Sequence, residues 1–409
     1  MKLSVIGCGP AGLFAAISAA KTAPELNVCI LERESQPLRW MNDARNPPAL
    51  TRSDDSPDAF AAACPHGADF MHGAVQALPP SILRESLGEM GVRTRVGENG
   101  AVLPAEGLDA QRISATLLDY AKRLGIEVVT GCTVAEMNRG TDCFRIWPKS
   151  GPSLDSDFVI LATGGRAGHS GWNLARSFGH EPSAWVPSPV LLQSKDARAR
   201  VSSPIPVDGA TARIPELSAE AGGGVCLLPN GIGGAAILEL AARYSHELAA
   251  RQYRMTLEVN WVAGHTRGQP TKLLRQIQQS HARKTVMEDA VLDLPRKLWE
   301  KLVESMKLPA QSRWSALDAA QLQALAGQLV SSRFKIDGRA MNKAEWVASG
   351  GVPLVELDPV SLQSLRQKGL FMAGEMLDID AIAGGWNMHI AWTTGWIAGS
   401  AVAAEYGRM

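Results

Sequence analysis

The first 32 residues place a glycine-rich turn between a short apolar strand and a helix, and a second strand then ends in an acid. Lys2 to Ile6 is β-prone, and the turn reads Gly7-Cys8-Gly9-Pro10-Ala11-Gly12. In a βαβ unit the first glycine permits the tight turn, the second lets the backbone approach a pyrophosphate, and the third allows close helix–sheet packing. The helix N-terminus then binds phosphate through free N–H groups. The sequence therefore predicts a dinucleotide site formed by Gly7, Gly9, Pro10, Ala11, Gly12, Glu32 and the adjacent Arg33.

Composition and charge narrow the class of protein. Among 409 residues, Lys+Arg (41) balance Asp+Glu (41), so no net field favours nucleic acid or an anionic membrane. No apolar run approaches the ~18 residues that span a bilayer, and the first strand follows Met1-Lys2 without room for a signal peptide. The six cysteines form no CxxC pair and the eight histidines show no metal-ligand spacing. We expect a cytoplasmic protein with buried thiols and no metal, nucleic-acid or membrane partner.

The order of patterns along the chain predicts the architecture. Helical and strand patterns alternate up to Asp157–Leu161, which is typical of a parallel sheet with ligands at the carboxyl ends of its strands. The segment 33–65 reads as a long irregular connection, whereas 186–262 is β-prone and 270–334 is helical. A strand at 369–375 and a long helix from 383 to about 405 return to the opening style. The prediction is an α/β fold: a split Rossmann-type FAD-binding domain (1–186 and 346–409) with an inserted β-rich and helical substrate or cap region (187–345).

Motifs in all three regions resemble a known family. The strongest are Gly369-Leu370-Phe371-Met372-Ala373-Gly374-Glu375-Met376-Leu377-Asp378, then Gly384-Gly385-Trp386-Asn387, and Asn230-Gly231-Ile232-Gly233-Gly234 in the insert. With Asp157 to Gly165 and Ala175 to His180, they make the chain similar to the BaiN/RdsA-type FAD-binding oxidoreductases, which include aminoacetone oxidase-like proteins. The resemblance covers nearly the whole chain.

The resemblance implies a role for each motif around FAD. Gly7 to Gly12 would hold the pyrophosphate, Glu32 the adenosine ribose, and the backbone of Val134 the adenine. Thr163 and Gly164 would close a turn near the cofactor. Gly374 and Glu375 would face the ribityl chain and pyrophosphate, and Asp378 would add a polar contact. Gly384, Gly385, Trp386 and Asn387 would present N–H groups to the pyrimidine edge, where reduction places negative charge.

One segment departs from the family. Its usual Ser-Gly-Gly-Gly-Arg-Cys-Asn stretch is replaced here by residues 40–48, which contain no glycine. Arg45 is the candidate for the arginine of that motif and for the catalytic residue, and Trp40 and Arg45 are the expected substrate contacts. His169, a candidate substrate contact, and His389 lie near cofactor motifs, where either an acid–base role or a structural one is open. Trp386, Trp392 and Trp396 favour a core role over substrate stacking.

These observations predict an FAD-dependent oxidoreductase acting on a small organic substrate. No second GxGxxG follows, so the chain has no dedicated nicotinamide domain. Electrons would come from transiently bound NAD(P)H, or pass from an oxidised substrate to O2. The alternatives are an FAD-dependent monooxygenase, a non-catalytic flavin-binding module and an RNA-modifying flavoprotein.

Overall fold

The computed structural model describes residues 1–38, 49–97, 99–165, 170–188, 191–263, 269–340, 348–382 and 384–408. The helices in these ranges are α1 Pro10–Thr22, α2 Pro57–Ala63, α3 Ala68–Ala77, α4 Pro80–Glu89, α5 Ala110–Arg123, α6 Ser170–Ser177, α7 Ala235–Arg243, α8 Ser245–Ala250, α9 Gln269–Ser280, α10 Arg296–Ser305, α11 Ala319–Val330 and α12 Trp386–Tyr406. The strands are β1 Lys2–Ile6, β2 Asn27–Leu31, β3 Thr51–Arg52, β4 Thr94–Val96, β5 Ala101–Pro104, β6 Glu127–Val129, β7 Val134–Arg139, β8 Phe144–Pro148, β9 Leu154–Ser156, β10 Phe158–Leu161, β11 Val186–Pro187, β12 Leu191–Ser194, β13 Ile205–Val207, β14 Thr211–Ile214, β15 Ala219–Ala221, β16 Val225–Leu228, β17 Gly231–Gly233, β18 Met255–Asn260, β19 Ser332–Ala340, β20 Ala348–Ser349 and β21 Leu370–Met372.

Two compact units divide the chain. The first contains Met1–Pro187 and Trp346–Met409, and the second contains Ser188–Glu345. The three-part domain division predicted from the sequence remains a proposal. Its insert, 187–345, differs from the second unit by one residue. Among the described residues, none of the helices has the length and apolar character needed to cross a membrane.

The first unit is built on a parallel sheet with strand order β21-β10-β1-β2-β6. Every neighbouring pair in it is parallel, which confirms the predicted Rossmann-type α/β fold. The chain runs from β1 to β2 on one side and returns to β10 on the other. The carboxyl end of β1 is therefore the switch point at which such sheets bind ligands. Two small antiparallel sheets, β3-β5-β4 and β7-β8-β9, complete this unit together with the β11-β20 pair.

Helix α12 packs on α1 through glycines. A Cβ on Gly395 would lie 2.2 Å from the carbonyl oxygen of Ala11, and one on Gly399 would lie 2.1 Å from that of Ala15. The two contacts advance in the same direction along both helices, so α1 and α12 run parallel. Since α1 begins at the carboxyl end of β1, both helix N-termini face the same edge of the sheet.

The segment 33–65 contains more structure than the sequence prediction allowed. Strand β3 and helix α2 both lie in this interval. The α2 helix begins with Ser56, whose Oγ accepts a hydrogen bond from the N–H of Ala59, and Pro57 occupies its first turn. Both are standard helix-start signals. The prediction of an irregular connection was therefore wrong for residues 51–52 and 57–63.

The second unit combines an antiparallel sheet with helices. Its strand order is β13-β16-β17-β12-β19-β18-β14-β15. A hydrophobic core beneath the sheet includes Trp299 and Trp314, whose ring centroids are 6.0 Å apart. The unit is thus β-rich and helical, although α7 follows directly on β17 in a stretch that reads as β-prone, and β19 extends the sheet where the helical pattern ends.

Candidate functional site

The glycine turn after β1 has the geometry that its sequence requires. Gly7 has φ +104°, and a Cβ there would lie 2.4 Å from the carbonyl oxygen of Ala162. A Cβ on Gly12 would lie 2.0 Å from the carbonyl oxygen of Gly7. Gly9 differs, because a Cβ at this position meets no described atom within 4 Å. Gly7 and Gly12 are thus required by the protein's own packing, whereas Gly9 borders open space.

Helix α1 starts at this open space. Its N-cap is Gly9, no side chain caps it within the described ranges, and Pro10 occupies its first turn. The N–H groups of the first turn have no intrahelical partners and carry the positive end of the helix dipole. Open space beside uncapped N–H groups fits a pyrophosphate. The residues present therefore fit the phosphate portion of FAD.

Glu32 ties the end of β2 to the glycine turn. Its Oε2 accepts a hydrogen bond from the backbone N–H of Cys8 at 2.6 Å, and its Oε1 accepts one from the N–H of Glu34 at 2.8 Å. Each oxygen keeps a further lone pair, so the carboxylate can also accept from ribose hydroxyls. Arg33 points outward and pairs with Glu34 at 3.0 Å.

A second uncapped helix end lies at the start of α12. Gly385 is its N-cap, with φ +101°, and no side chain of the described residues caps it. A Cβ on Gly385 would lie 2.5 Å from the carbonyl oxygen of Thr51. Gly384, at φ +118°, is exposed. Because α1 and α12 run parallel, the structure brings the glycine turn and the 384–387 motif to one edge of the sheet.

The side chains of Trp386 and Asn387 serve the fold around that helix end. The indole of Trp386 is 8% exposed and contacts the ring of Phe60 edge-on, with centroids 4.7 Å apart. The amide of Asn387 accepts from the N–H of Ala381 at 2.8 Å and donates to the carbonyl oxygen of Ala381 at 2.6 Å. Both residues lie in the first turn of α12, where backbone N–H groups have no intrahelical partners.

The turns after β10 and β21 contact each other. Thr163 Oγ1 lies 3.0 Å from the sulfur of Met376, and the N–H of Gly165, next to Gly164, donates to Glu375 Oε2 at 3.4 Å. The N–H of Gly374 donates to Thr394 on α12 at 2.9 Å, and a Cβ on Gly374 would come within 2.7 Å of the Cβ of Ala11. The structure therefore joins these predicted cofactor residues to α1 and α12.

Asp378 and Val134 occupy different places in the same unit. One carboxylate oxygen of Asp378 accepts from Ser183 at 2.9 Å; the other is buried and has no hydrogen-bond partner among the described residues. Val134 is buried at the start of β7, and the N–H of Cys132, two residues earlier, donates to the carbonyl oxygen of Glu32. Strand β7, which Val134 begins, therefore starts two residues after a backbone contact with Glu32.

Three candidate residues, Trp40, Arg45 and His169, lie outside the described residues. His389, in contrast, is described and fully buried on α12, where its Nδ1 lies 2.8 Å from Thr51 Oγ1. Burial lowers its pKa to about 3, although the backbone at Leu78 and the charge of Asp55 act the other way. The imidazole is neutral at physiological pH, which favours the structural alternative.

Arg52 is a residue near the site that the sequence reasoning missed. It lies on β3, its guanidinium contacts the carbonyl oxygens of Gly384 and Asn99, and it stacks over Trp386. Burial lowers its pKa from the usual arginine value. No local signal marks it, because its partners are distant in the sequence.

Comparison with known proteins agrees with this geometry. The family described as HI0933-like protein Rossmann domain matches residues 1–401. The 3-dehydro-bile acid delta(4,6)-reductase of Clostridium scindens is 27% identical over 413 residues, which is 98% of this chain and 99% of the relative. The ribosomal RNA dihydrouridine synthase of Escherichia coli is 27% identical over 123 residues, 30% of each chain.

Solved structures share the fold at low identity. The 3-ketosteroid-Δ4-(5α)-dehydrogenase of Rhodococcus jostii RHA1 aligns with a TM-score of 0.52 at 15% identity, over 98% of this chain and 96% of its own. The quinol fumarate reductase of E. coli aligns with a TM-score of 0.50 at 14% identity, over 100% and 71%. The family match and the full-length relative confirm the predicted cofactor and reaction class. The chain belongs to the HI0933-like Rossmann-domain family and is an FAD-dependent oxidoreductase.

Proposed function

We propose that the protein transfers hydride between FAD and a carbon–carbon double bond conjugated to a carbonyl group in a small organic molecule. The observation that carries this proposal is the full-length similarity to the bile-acid reductase, which includes the inserted unit as well as the FAD-binding unit. The name of that relative describes reduction at positions 4 and 6 of a 3-oxo compound. Double bonds at those positions are conjugated to the ketone, so the substrate class follows from the chemistry and not from the steroid skeleton.

We assign the residues of the first unit to FAD as the sequence suggested. Gly7, Gly9 and Gly12 with the α1 N-terminus hold the pyrophosphate, Glu32 with Arg33 beside it the ribose, and Val134 the adenine. Thr163, Gly164, Gly374, Glu375 and Asp378 line the middle of the cofactor, and the backbone from Gly384 to Asn387 faces the pyrimidine edge. When bound, the flavin supplies two-electron hydride chemistry. The α12 N-terminus stabilises the negative charge that reduction places on that edge.

Substrate contact is proposed for the segment that departs from the family. Arg45 would bind the carbonyl or carboxylate of the substrate through its planar guanidinium, and Trp40 and His169 would border the same space. A conjugated carbonyl gains negative charge on its oxygen as hydride adds to the double bond. A cation at that oxygen therefore binds the transition state more tightly than the ground state.

Reduced nicotinamide that binds transiently is the proposed electron donor, with O2 as the acceptor in the oxidative direction. We place the protein in the cytoplasm. All six cysteines are free in the structure, and free thiols persist in a reducing compartment.

The same chemistry on uridine is a second candidate. The 123-residue similarity to the ribosomal RNA dihydrouridine synthase favours it, since the uracil double bond is also conjugated to a carbonyl. The balance of 41 basic and 41 acidic residues counts against it, because RNA binding usually relies on a net positive surface.

An anaerobic reoxidation assay tests the proposal. The FAD-loaded protein is reduced with NADH or NADPH and mixed with cyclic and acyclic enones, with their saturated ketone counterparts, or with a uridine-containing RNA. We expect enones to restore oxidised flavin absorbance with one equivalent of reduced product, and saturated ketones to have no effect. Equal reoxidation by enones and saturated ketones would contradict the proposal. Reoxidation by RNA alone would select the second candidate.

A further inference from the structure

A histidine and a buried aspartate form a close pair beside the start of α12. His66 lies in the turn between α2 and α3, and Asp380 lies six residues before Trp386. The Nδ1 of His66 is 2.5 Å from Oδ1 of Asp380, and the two backbones form an antiparallel bridge. Asp380 is 1% exposed, whereas the His66 side chain is 33% exposed. The pair therefore joins a buried carboxylate to an imidazole that can exchange protons.

The same segments fasten this pair to the proposed flavin-binding helix end. The N–H of Ile382 donates to the carbonyl oxygen of Ala63 at 3.0 Å. Asn387, in the first turn of α12, binds both backbone groups of Ala381. A Cβ on Gly67 would come within 2.7 Å of Ile379, so the turn that carries His66 lies directly against the segment that carries Asp380. The imidazole is thus held within one short loop of the α12 N-terminus.

The orientation of the Asp380 carboxylate toward the imidazole reduces the stability of the fold. Its Oδ2 is buried and has no hydrogen-bond partner among the described residues. A buried acceptor without a partner lowers the stability of a fold. Its charge acts on its surroundings, since burial and Asp380 together raise the pKa of the Cys64 thiol to about 12. A carboxylate held in this way fixes the orientation of a histidine ring and stabilises its protonated form.

We propose that His66 is the proton donor and acceptor of the reaction, with Asp380 as its positioning residue; this rests on the proposed function. Reduction of a conjugated double bond needs a hydride, which brings both electrons from the reduced cofactor, and one proton. Hydride forms the new C–H bond at the β-carbon, and the π electrons move to the carbonyl oxygen. Imidazolium Nε2 of His66 then gives its proton to the α-carbon, and solvent reprotonates the neutral ring. In the oxidative direction His66 removes that proton.

Few charged or titratable groups of the described residues lie next to the imidazole. The neighbouring elements contribute Asp380 before α12, Cys64 at the end of α2 and the exposed Asp69 on α3, while β20 contributes Ser349, whose Oγ lies 3.1 Å from Nδ1. The raised pKa of Cys64 keeps its thiol neutral up to about pH 11. A pH-dependent signal that is lost on replacement of His66 therefore does not come from Cys64.

The experiment compares H66Q and D380N with H72Q. His72 lies on α3 and pairs with Asp58 at 3.2 Å, but both side chains are exposed, so H72Q removes a histidine–aspartate pair without touching the proposed site. Each FAD-loaded variant is titrated with acid and base while the oxidised flavin spectrum is recorded. The dithionite-reduced forms are then reoxidised anaerobically by an enone, or by ferricyanide, which needs no proton transfer to carbon.

We expect a pH-dependent flavin spectral shift in the parent and H72Q that disappears in H66Q and moves to lower pH in D380N. Enone reoxidation should slow by roughly 100- to 10,000-fold in H66Q, with ferricyanide reoxidation unchanged. Absence of a His66-dependent spectral shift, or parental enone reoxidation in FAD-loaded H66Q, would overturn the proposal. A His66-dependent shift in a parent that reduces no enone would instead overturn the proposed function and leave the acid–base pair beside the flavin in place.

Discussion

Arg52 donates a hydrogen bond from Nη1 to the carbonyl oxygen of Gly384 at 3.2 Å. Its Nη2 donates to the carbonyl oxygen of Asn99 at 2.6 Å, and the guanidinium lies 4.9 Å from the ring centroid of Trp386. One side chain of β3 thus fixes the glycine pair that precedes α12. We therefore expect the conformation of that helix start, and with it the proposed flavin contact, to depend on this arginine.

Replacement of Arg52 by methionine should weaken FAD binding while the fold persists. A hydrogen bond from a charged group contributes about 1.5–3 kcal/mol, and partial exposure reduces that figure, so we expect the Kd for FAD to rise roughly 10-fold to 100-fold. Arg52→Lys should recover only part of the loss, because an ammonium cannot reach both carbonyl oxygens with a planar fork. Quenching of flavin fluorescence by the flavin-free protein measures the Kd.

Arg145→Met is the matched control for Arg52. Arg145 lies in the same unit and pairs with Asp155 at 2.9 Å, but both side chains are more than half exposed. This variant should bind FAD as the parent does. Equal affinities for the parent and Arg52→Met would mean that the 384–385 turn holds its conformation without Arg52.

Gly9→Val and Gly395→Ala should separate cofactor binding from folding. A Cβ on Gly9 meets no described atom within 4 Å, so valine there should leave the protein folded and remove FAD by filling the pyrophosphate space.

A Cβ on Gly395 would lie 2.2 Å from the carbonyl oxygen of Ala11, so alanine there must push α12 away from α1. We expect a lower Tm for flavin-free Gly395→Ala by several degrees, consistent with overpacking of about 1–3 kcal/mol.

Circular dichroism melts and the flavin absorbance ratio of each preparation check both variants. The flavin-free parent provides the reference Tm. If Gly9→Val retains FAD, the open space at the start of α1 is not the pyrophosphate site. A parental Tm for Gly395→Ala would mean that the two helices can separate without loss of stability.

Arg45→Ala should impair turnover far more than FAD retention. In the proposed FAD site, helix ends and backbone N–H groups hold the phosphates, so loss of this side chain should cost little cofactor binding. Loss of one charge-assisted hydrogen bond to the substrate, about 1.5–3 kcal/mol, lowers kcat/KM by roughly 10- to 150-fold. Steady-state kinetics on an enone, beside the absorbance ratio of the same preparation, test this. Arg95→Ala, at an exposed arginine of β4, is the control, and equal activity of Arg45→Ala and parent would remove Arg45 from the site.

The parts of the site that sequence could predict are those set by local geometry. The turn from Gly7 to Gly12 and the acid Glu32 lie within one βαβ unit, where each residue's task follows from its neighbours in the chain. The alternation of strands and helices likewise predicted the parallel sheet. Helix α2 carried visible start signals at Ser56 and Pro57, but the polar composition around it masked them.

The parts that sequence could not predict depend on contacts between distant segments. Gly395 and Gly399 have the spacing of a helix contact face, yet nothing local identifies Ala11 and Ala15 as the partners. His66 and Asp380 are 314 positions apart and meet only because the 379–382 segment packs against the turn after α2. Pairing of this kind depends on the folded topology and produces no periodic pattern in the sequence.

Because of His389, the free energy of unfolding should decrease as the pH is lowered into the acid range. Its pKa is about 3 in the fold because of burial, against about 6.5 in the unfolded chain. Between these values the unfolded state binds a proton that the folded state does not. The stabilisation is therefore complete above about pH 6.5 and is lost as the pH falls toward 3, by up to about 1.4 kcal/mol per pH unit.

Urea unfolding of parent and His389→Gln, from about pH 7.5 down to pH 4.5, isolates this contribution. At the higher pH the variant should be the less stable protein, since it loses the contact with Thr51 and the packing against Phe60. As the pH falls, its unfolding midpoint should decline less steeply than that of the parent, and the two should converge. His180, also buried with a lowered pKa, remains in both proteins and cancels in the comparison. Parallel midpoint curves would show that the imidazole of His389 takes up its proton without unfolding, and the buried neutral state assigned to it would be wrong.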